Sequence, residues 1–178
     1  MINASHYSTL GGTVKKSRLL RAFGVSVLAL APALGLASPA AAIEPGNGYS
    51  CTGPQKKEFP TSGYNTDISI KICVEEDTPT GAVRAEAVIN WQDGGSGKFN
   101  NFDLHLRVEK YDVVIKGAVC DYTSGIASSG GNYKVCQVPW THGVAPGGIT
   151  ADATVVYDLA DDGVGELRWD LAGSQALS

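Results

Sequence analysis

Residues 66–74 read TDISIKICV, and every second side chain is apolar. Ile68, Ile70, Ile72 and Val74 alternate with Ser69, Lys71 and Cys73. In a strand, successive side chains point to opposite faces, so this spacing makes one apolar face and one polar face. In a helix the same residues would fall on opposite sides and bury nothing together. The pattern recurs. Val83, Ala85, Ala87, Ile89 and Trp91 share one parity, as do Phe102, Leu104, Leu106 and Val108. ITADATVVYDL (149–159) and GELRWDL (165–171) follow the same rule. After residue 42 no apolar residues recur at i, i+3, i+4 and i+7 over three turns, so no substantial helix is expected.

The breaks between these segments are turn-like. EEDTPTG (75–81) carries Pro79, and QDGGSG (92–97) is rich in glycine. The apolar phase changes around Glu109, Lys110 and Tyr111, which requires a bulge or a tight turn. A turn is favoured, because one strand over 102–122 would far exceed the usual length. TSGIASSGGN (123–132) reads as flexible by composition, YKVCQVPW as a short strand ending at Pro139, and THGVAPGG (141–148) as loop. IEPGNGYSCTGPQ (43–55) reads as irregular. Seven to eight short antiparallel strands with regular turns imply an all-β fold. An antiparallel β-sandwich, immunoglobulin-like or similar, is expected, with a small β-barrel as the alternative. Its core should hold Ile68, Ile70, Ile72, Val83, Ile89, Phe102, Leu104, Leu106, Val155, Leu167 and Trp169.

The first 42 residues follow a different logic. Lys15, Lys16, Arg18 and Arg21 form a positive cluster, an apolar run occupies 23–36, and Ala40 and Ala42 stand in an A-x-A arrangement. These are the three parts of a secretory signal peptide. The run falls short of the roughly 20 residues that span a bilayer. Cleavage is expected after Ala42, with 43–178 forming one domain and translation starting near residue 14, at Val14. Paired arginines are missing, which argues against the twin-arginine route. The processed protein is then secreted and extracellular.

All four cysteines, Cys51, Cys73, Cys120 and Cys136, lie after the cleavage point. An even number in an exported chain implies disulfides. The two local pairs, Cys51–Cys73 and Cys120–Cys136, are the simplest of the three pairings. Their spacing lacks the close pairs of a zinc site. Cys73 has the polar parity of its strand, so its bridge should lie on the outer side of a sheet.

Beyond residue 42 stand ten basic against eighteen acidic side chains, a net charge of −8. Such a chain repels phosphate backbones and anionic lipid surfaces, so neither nucleic acid nor membrane is expected as a partner. YDLADDGVGELRWDL (157–171) crowds carboxylates around Gly163. A calcium loop of the helix–loop–helix type would need ligands where Ala160 and Trp169 stand. The segment therefore reads as a hairpin tip, with a weak site at Asp158, Asp161 and Asp162 as the remaining possibility; no metal or cofactor is expected.

The signal sequence ending SPAAA, the alternating strands and the segment CDYTSGIASSGGNYKVC resemble small secreted β-rich proteins of actinomycete bacteria. The resemblance implies an extracellular β-rich fold and carries no catalytic residue across.

No nucleophile elbow, H-E-x-x-H helix or phosphate-cradling loop is present in the sequence. His105 shares a strand face with Asp103 and Arg107, an arrangement that a solvated polar face explains. Trp91 and Trp169 continue apolar strand faces. Trp140 differs, since it follows Pro139 at a strand end and precedes Thr141, His142 and Gly143. A binding surface made of Trp140, His142 and Tyr133 is the expected site, because tryptophan joins a broad apolar ring to one N–H donor. The expected function is a non-catalytic binding or interaction module for an extracellular protein or polysaccharide. A secreted protease inhibitor and a small extracellular hydrolase are the alternatives.

Overall fold

Alternation builds two antiparallel sheets that face each other. The structure, a computed structural model, describes residues 48–128, 131 and 133–177. The expected signal peptide, its cleavage site and the start near Val14 lie outside the described residues.

The strands are β1 (Tyr49–Cys51), β2 (Gln55–Phe59), β3 (Thr66–Asp77), β4 (Ala82–Gln92), β5 (Phe99–Lys110), β6 (Val113–Asp121), β7 (Lys134–Gln137), β8 (Ile149–Leu159) and β9 (Leu167–Asp170). One four-residue helical turn, α1 (Thr123–Ile126), lies between β6 and β7. The first sheet runs β1-β3-β4-β7, with β2 pairing the other half of β3; the second runs β6-β5-β8-β9. The two sheets form a β-sandwich and do not close into a barrel.

The strand list differs from expectation in two ways. Tyr49–Cys51, read as irregular, pairs with β3, and β2 pairs with it too, although Lys56, Lys57 and Glu58 give it little apolar signal. The central strands are also long. β3 and β5 each hold 12 residues, because each continues past its apolar run toward its turn, whereas β4 and β8 keep nearly the bounds their alternation gives.

Side chains of one parity meet between the sheets. Ile68, Ile70, Ile72 and Val74 of β3 and Phe102, Leu104, Leu106 and Val108 of β5 all point into this core, and all eight are essentially inaccessible. Val83, Ile89, Trp91 and Val155 are buried with them, while Leu167 and Trp169 of the edge strand β9 pack on the core half-covered. Full burial of one such large apolar side chain is worth about 1.5–3 kcal/mol.

The phase change near Glu109 is resolved by both devices. Tyr111 and Asp112 form the tight turn, with φ of 49° and 63°, the left-handed pair that joins two twisted strands. A register shift also falls between Val108 and Glu109 in the β5–β6 pairing.

The two sides of the sandwich are closed differently. On one side the Cys120–Cys136 disulfide ties β6 of one sheet to β7 of the other. On the opposite side the ring of Phe59 packs edge-on against Phe99, Phe102, Tyr157 and Trp169. Lys57 lies over the Tyr157 ring at 4.5 Å and donates to its hydroxyl at 2.8 Å.

Candidate functional site

The parity that points half of β3 and β4 into the core points the other half out. On the five-stranded sheet this outer face carries Ser69, Lys71 and Cys73 from β3 and Glu86, Val88 and Asn90 from β4, flanked by Tyr49 of β1 and by Tyr133 just before β7. These eight residues, with Pro54, line a shallow hollow. A second hollow, of about 490 Å³, shares Ser69 and Asn90 with it and continues to Lys56, Glu58, Asp67 and Gln92. Together they form one trough across the outer face. Its larger part falls within the roughly 300–1,000 Å³ typical of small-ligand sites.

The Cys51–Cys73 bridge lies at the edge of this trough. Cys51 and Cys73 are directly opposed on β1 and β3, and Cys73 has the outward parity expected for it. The Tyr49 hydroxyl donates to Cys73 Sγ at 3.1 Å, so the disulfide helps hold that ring. Burial raises the Tyr49 pKa, and the carboxylates of Glu86 and Glu75 add to the effect, so the ring is a neutral phenol at physiological pH. Tyr49 is 42% exposed and Tyr133 65% exposed. Gln137 donates to Glu86 at 2.6 Å, whereas among the described residues the side chains of Ser69, Lys71 and Asn90 make no hydrogen bond.

Trp140 stands at the far end of the same face. Main-chain hydrogen bonds pair Val138 with Ala85 and Thr141 with Val83, so Pro139 and Trp140 together oppose Arg84 as a β-bulge. Proline suits that position because it has no N–H to leave unpaired. The extra residue turns Trp140 outward. The Arg84 guanidinium lies 4.5 Å from its ring centroid and pairs with Glu75 at 2.7 Å. Tyr133 and Trp140 therefore flank opposite ends of β7, Tyr133 in the trough and Trp140 under Arg84. His142 follows on an exposed loop.

The chain matches no family model, no curated protein and no solved structure.

The other faces are engaged differently. On the outer side of the second sheet, Arg107 pairs with Glu109 at 2.9 Å and Asp152 at 3.2 Å and donates to Thr154 at 3.2 Å. These carboxylates hold the guanidinium firmly charged despite partial burial. His105, its neighbour, makes no side-chain hydrogen bond among the described residues. In the β8–β9 connection, Asp162 caps its own turn by accepting from Val164 N–H at 2.9 Å, while Asp158 accepts from Asn100 at 3.2 Å. Among the described residues no three His, Cys, Asp or Glu side chains converge on a metal-sized gap.

Sequence reasoning pointed to Tyr133 but missed Tyr49, Ser69, Lys71, Glu86 and Asn90. For Ser69, Lys71, Glu86 and Asn90 the missed signal was available as parity: each has the outward phase of a strand whose inward phase is core, whereas β1 gives Tyr49 no such pattern. What parity cannot supply is which strands lie side by side.

Proposed function

We propose that the protein is an exported, non-catalytic binding module whose ligand docks on the outer face of the five-stranded sheet. The observation that carries this reading is the trough between Tyr49 and Tyr133, on whose floor the side chains of Ser69, Lys71 and Asn90 make no hydrogen bond among the described residues. Two disulfides fix the frame beneath it, and disulfide use accords with export. Of the expected site, centred on Trp140 with Tyr133 and His142, Tyr133 lines the trough, Trp140 lies against Arg84 farther along the same face, and His142 is on an exposed loop beyond it.

The test is a substitution that fills the trough without touching the core. Binding is measured by cosedimentation with insoluble polysaccharides and by capture on immobilised secreted proteins. Asn90→Arg, on an exposed trough position, should remove binding, while Val119→Arg on the outer side of the second sheet should leave it intact. The reverse result would place the ligand elsewhere. Amino-terminal sequencing of the protein recovered from culture medium should begin at Ile43; a retained residue 1 in that protein would end the export reading.

A further inference from the structure

We infer that the ligand of this face is a neutral polysaccharide chain lying along the trough, with the rings of Tyr49 and Tyr133 as its apolar contacts. This rests on the outer-face reading above and adds the chemistry of the ligand.

Charge is the first ground. Lys56 and Lys71 stand among Glu58, Asp67 and Glu86, so the trough presents both signs in alternation and no single-sign field. A polyanion would meet three carboxylates and a polycation two ammonium groups, and like charges at close quarters reject a ligand strongly. Hydrogen bonding is the second ground. Lys71 offers only donors, Glu86 only acceptors, and Ser69 and Asn90 both. A sugar hydroxyl donates and accepts through one atom, so a row of hydroxyls satisfies such a mixed floor without matching a fixed pattern.

The third ground is the shape of the apolar surface. A pyranose ring shows C–H groups on its face and hydroxyls on its rim. It therefore suits an exposed phenol ring beside polar groups, where tyrosine combines a flat apolar body with a polar tip. A protein partner would instead be met by a continuous apolar centre from which charged side chains are depleted. Here the aliphatic surface is sparse: Val88 on the floor of the Tyr49–Tyr133 hollow is 8% exposed, and Val135, opposite it on β7, and Pro54 stand apart at the margin among Lys71 and Glu86. The two hollows join end to end at Ser69 and Asn90 on the sheet surface, which fits a chain of sugars better than one small molecule.

The experiment is an NMR titration of the isotope-labelled, disulfide-bonded protein with neutral hexasaccharides of glucose, xylose and mannose, and with hexagalacturonate as the anionic control. At least one neutral oligomer should shift the amides of Ser69, Lys71, Glu86, Asn90 and Tyr133. Tyr133→Ala should weaken binding roughly tenfold and Tyr133→Phe less than about threefold, since the ring and not the hydroxyl is the platform. The melting temperature should not move, because the Tyr133 side chain is largely exposed. Raising salt from about 50 mM to about 500 mM should change affinity less than about twofold. Binding confined to hexagalacturonate and lost at high salt would overturn the neutral ligand. If no sugar binds while a secreted protein shifts the same amides, the polysaccharide is wrong and the outer-face reading survives. If neither shifts them, both fall.

Discussion

Tyr122 buries a hydroxyl that finds no hydrogen-bond partner among the described residues. Burial alone pushes its pKa up to about 12, because the phenolate would have no water around it. The neutral ring is therefore tolerated and the ionised one is not. Below about pH 10 the phenol is protonated in both folded and unfolded chains and contributes no pH dependence. As pH rises from there through about 12, the unfolded chain ionises first and stability falls. Tyr122→Phe should unfold at the same urea concentration as the parent protein at pH 7, or higher, and should lose less stability between pH 10 and pH 12. Identical alkaline profiles would show that Tyr122 is solvated. Gly94 matters for a different reason. A Cβ there would stand 2.3 Å from the carbonyl oxygens of both Ile126 and Ser128. Gly94→Ala should cost about 1–3 kcal/mol, read by urea unfolding, as the loop is forced off the segment it packs against.

At the scale of elements, the segment 123–132 shows how composition can mislead. Its glycines and serines suggest a flexible connection, yet its described residues are anchored at several points. Ile126 is fully buried, the Trp91 indole donates to Ser128 O at 3.4 Å, and Gly131 N–H donates to Trp91 O at 3.0 Å. The small residues allow close approach to the Trp91 ring, which a Cβ on Gly131 would strike. The disulfide on either side of this segment joins the two sheets at their β6 and β7 edges. Replacing both Cys120 and Cys136 by serine should lower stability by about 3 kcal/mol in the chain-entropy account, with the β6–β7 side opening first in hydrogen exchange. Unchanged exchange along β7 would mean that β4 pairing alone holds that edge.

At the scale of the molecule, the sandwich is closed on one side by covalent chemistry and on the other by aromatic packing. Phe59 is the centre of the aromatic side. It lies 4.9–5.9 Å from four other rings, is completely buried, and belongs to the short edge strand β2. Phe59→Ala should cost about 3–5 kcal/mol, since it empties the centre of the ring cluster and also removes one of the rings under Lys57. A loss under about 1 kcal/mol, measured by denaturant unfolding, would mean the rings repack across the gap.

Much of this architecture was legible before any coordinates. Period-2 alternation determines which side chains of β3, β4, β5 and β8 turn inward, because a strand offers only two faces. Cysteine count and spacing led to the two local bridges. The edge strands were less legible, since β1 and β2 owe their existence to pairing with β3 and not to an apolar pattern of their own. Trp140 shows the same limit at one residue. Its outward turn comes from an extra residue opposite Arg84, a fact of register between β4 and the chain after β7 that neither segment contains alone. The trough belongs wholly to the tertiary structure. Tyr49, Lys71, Asn90 and Tyr133 are scattered over 49–133 and meet only because hydrogen bonds set β1, β3, β4 and β7 side by side. Alternation states which way a side chain points; backbone pairing between distant segments decides what stands beside it.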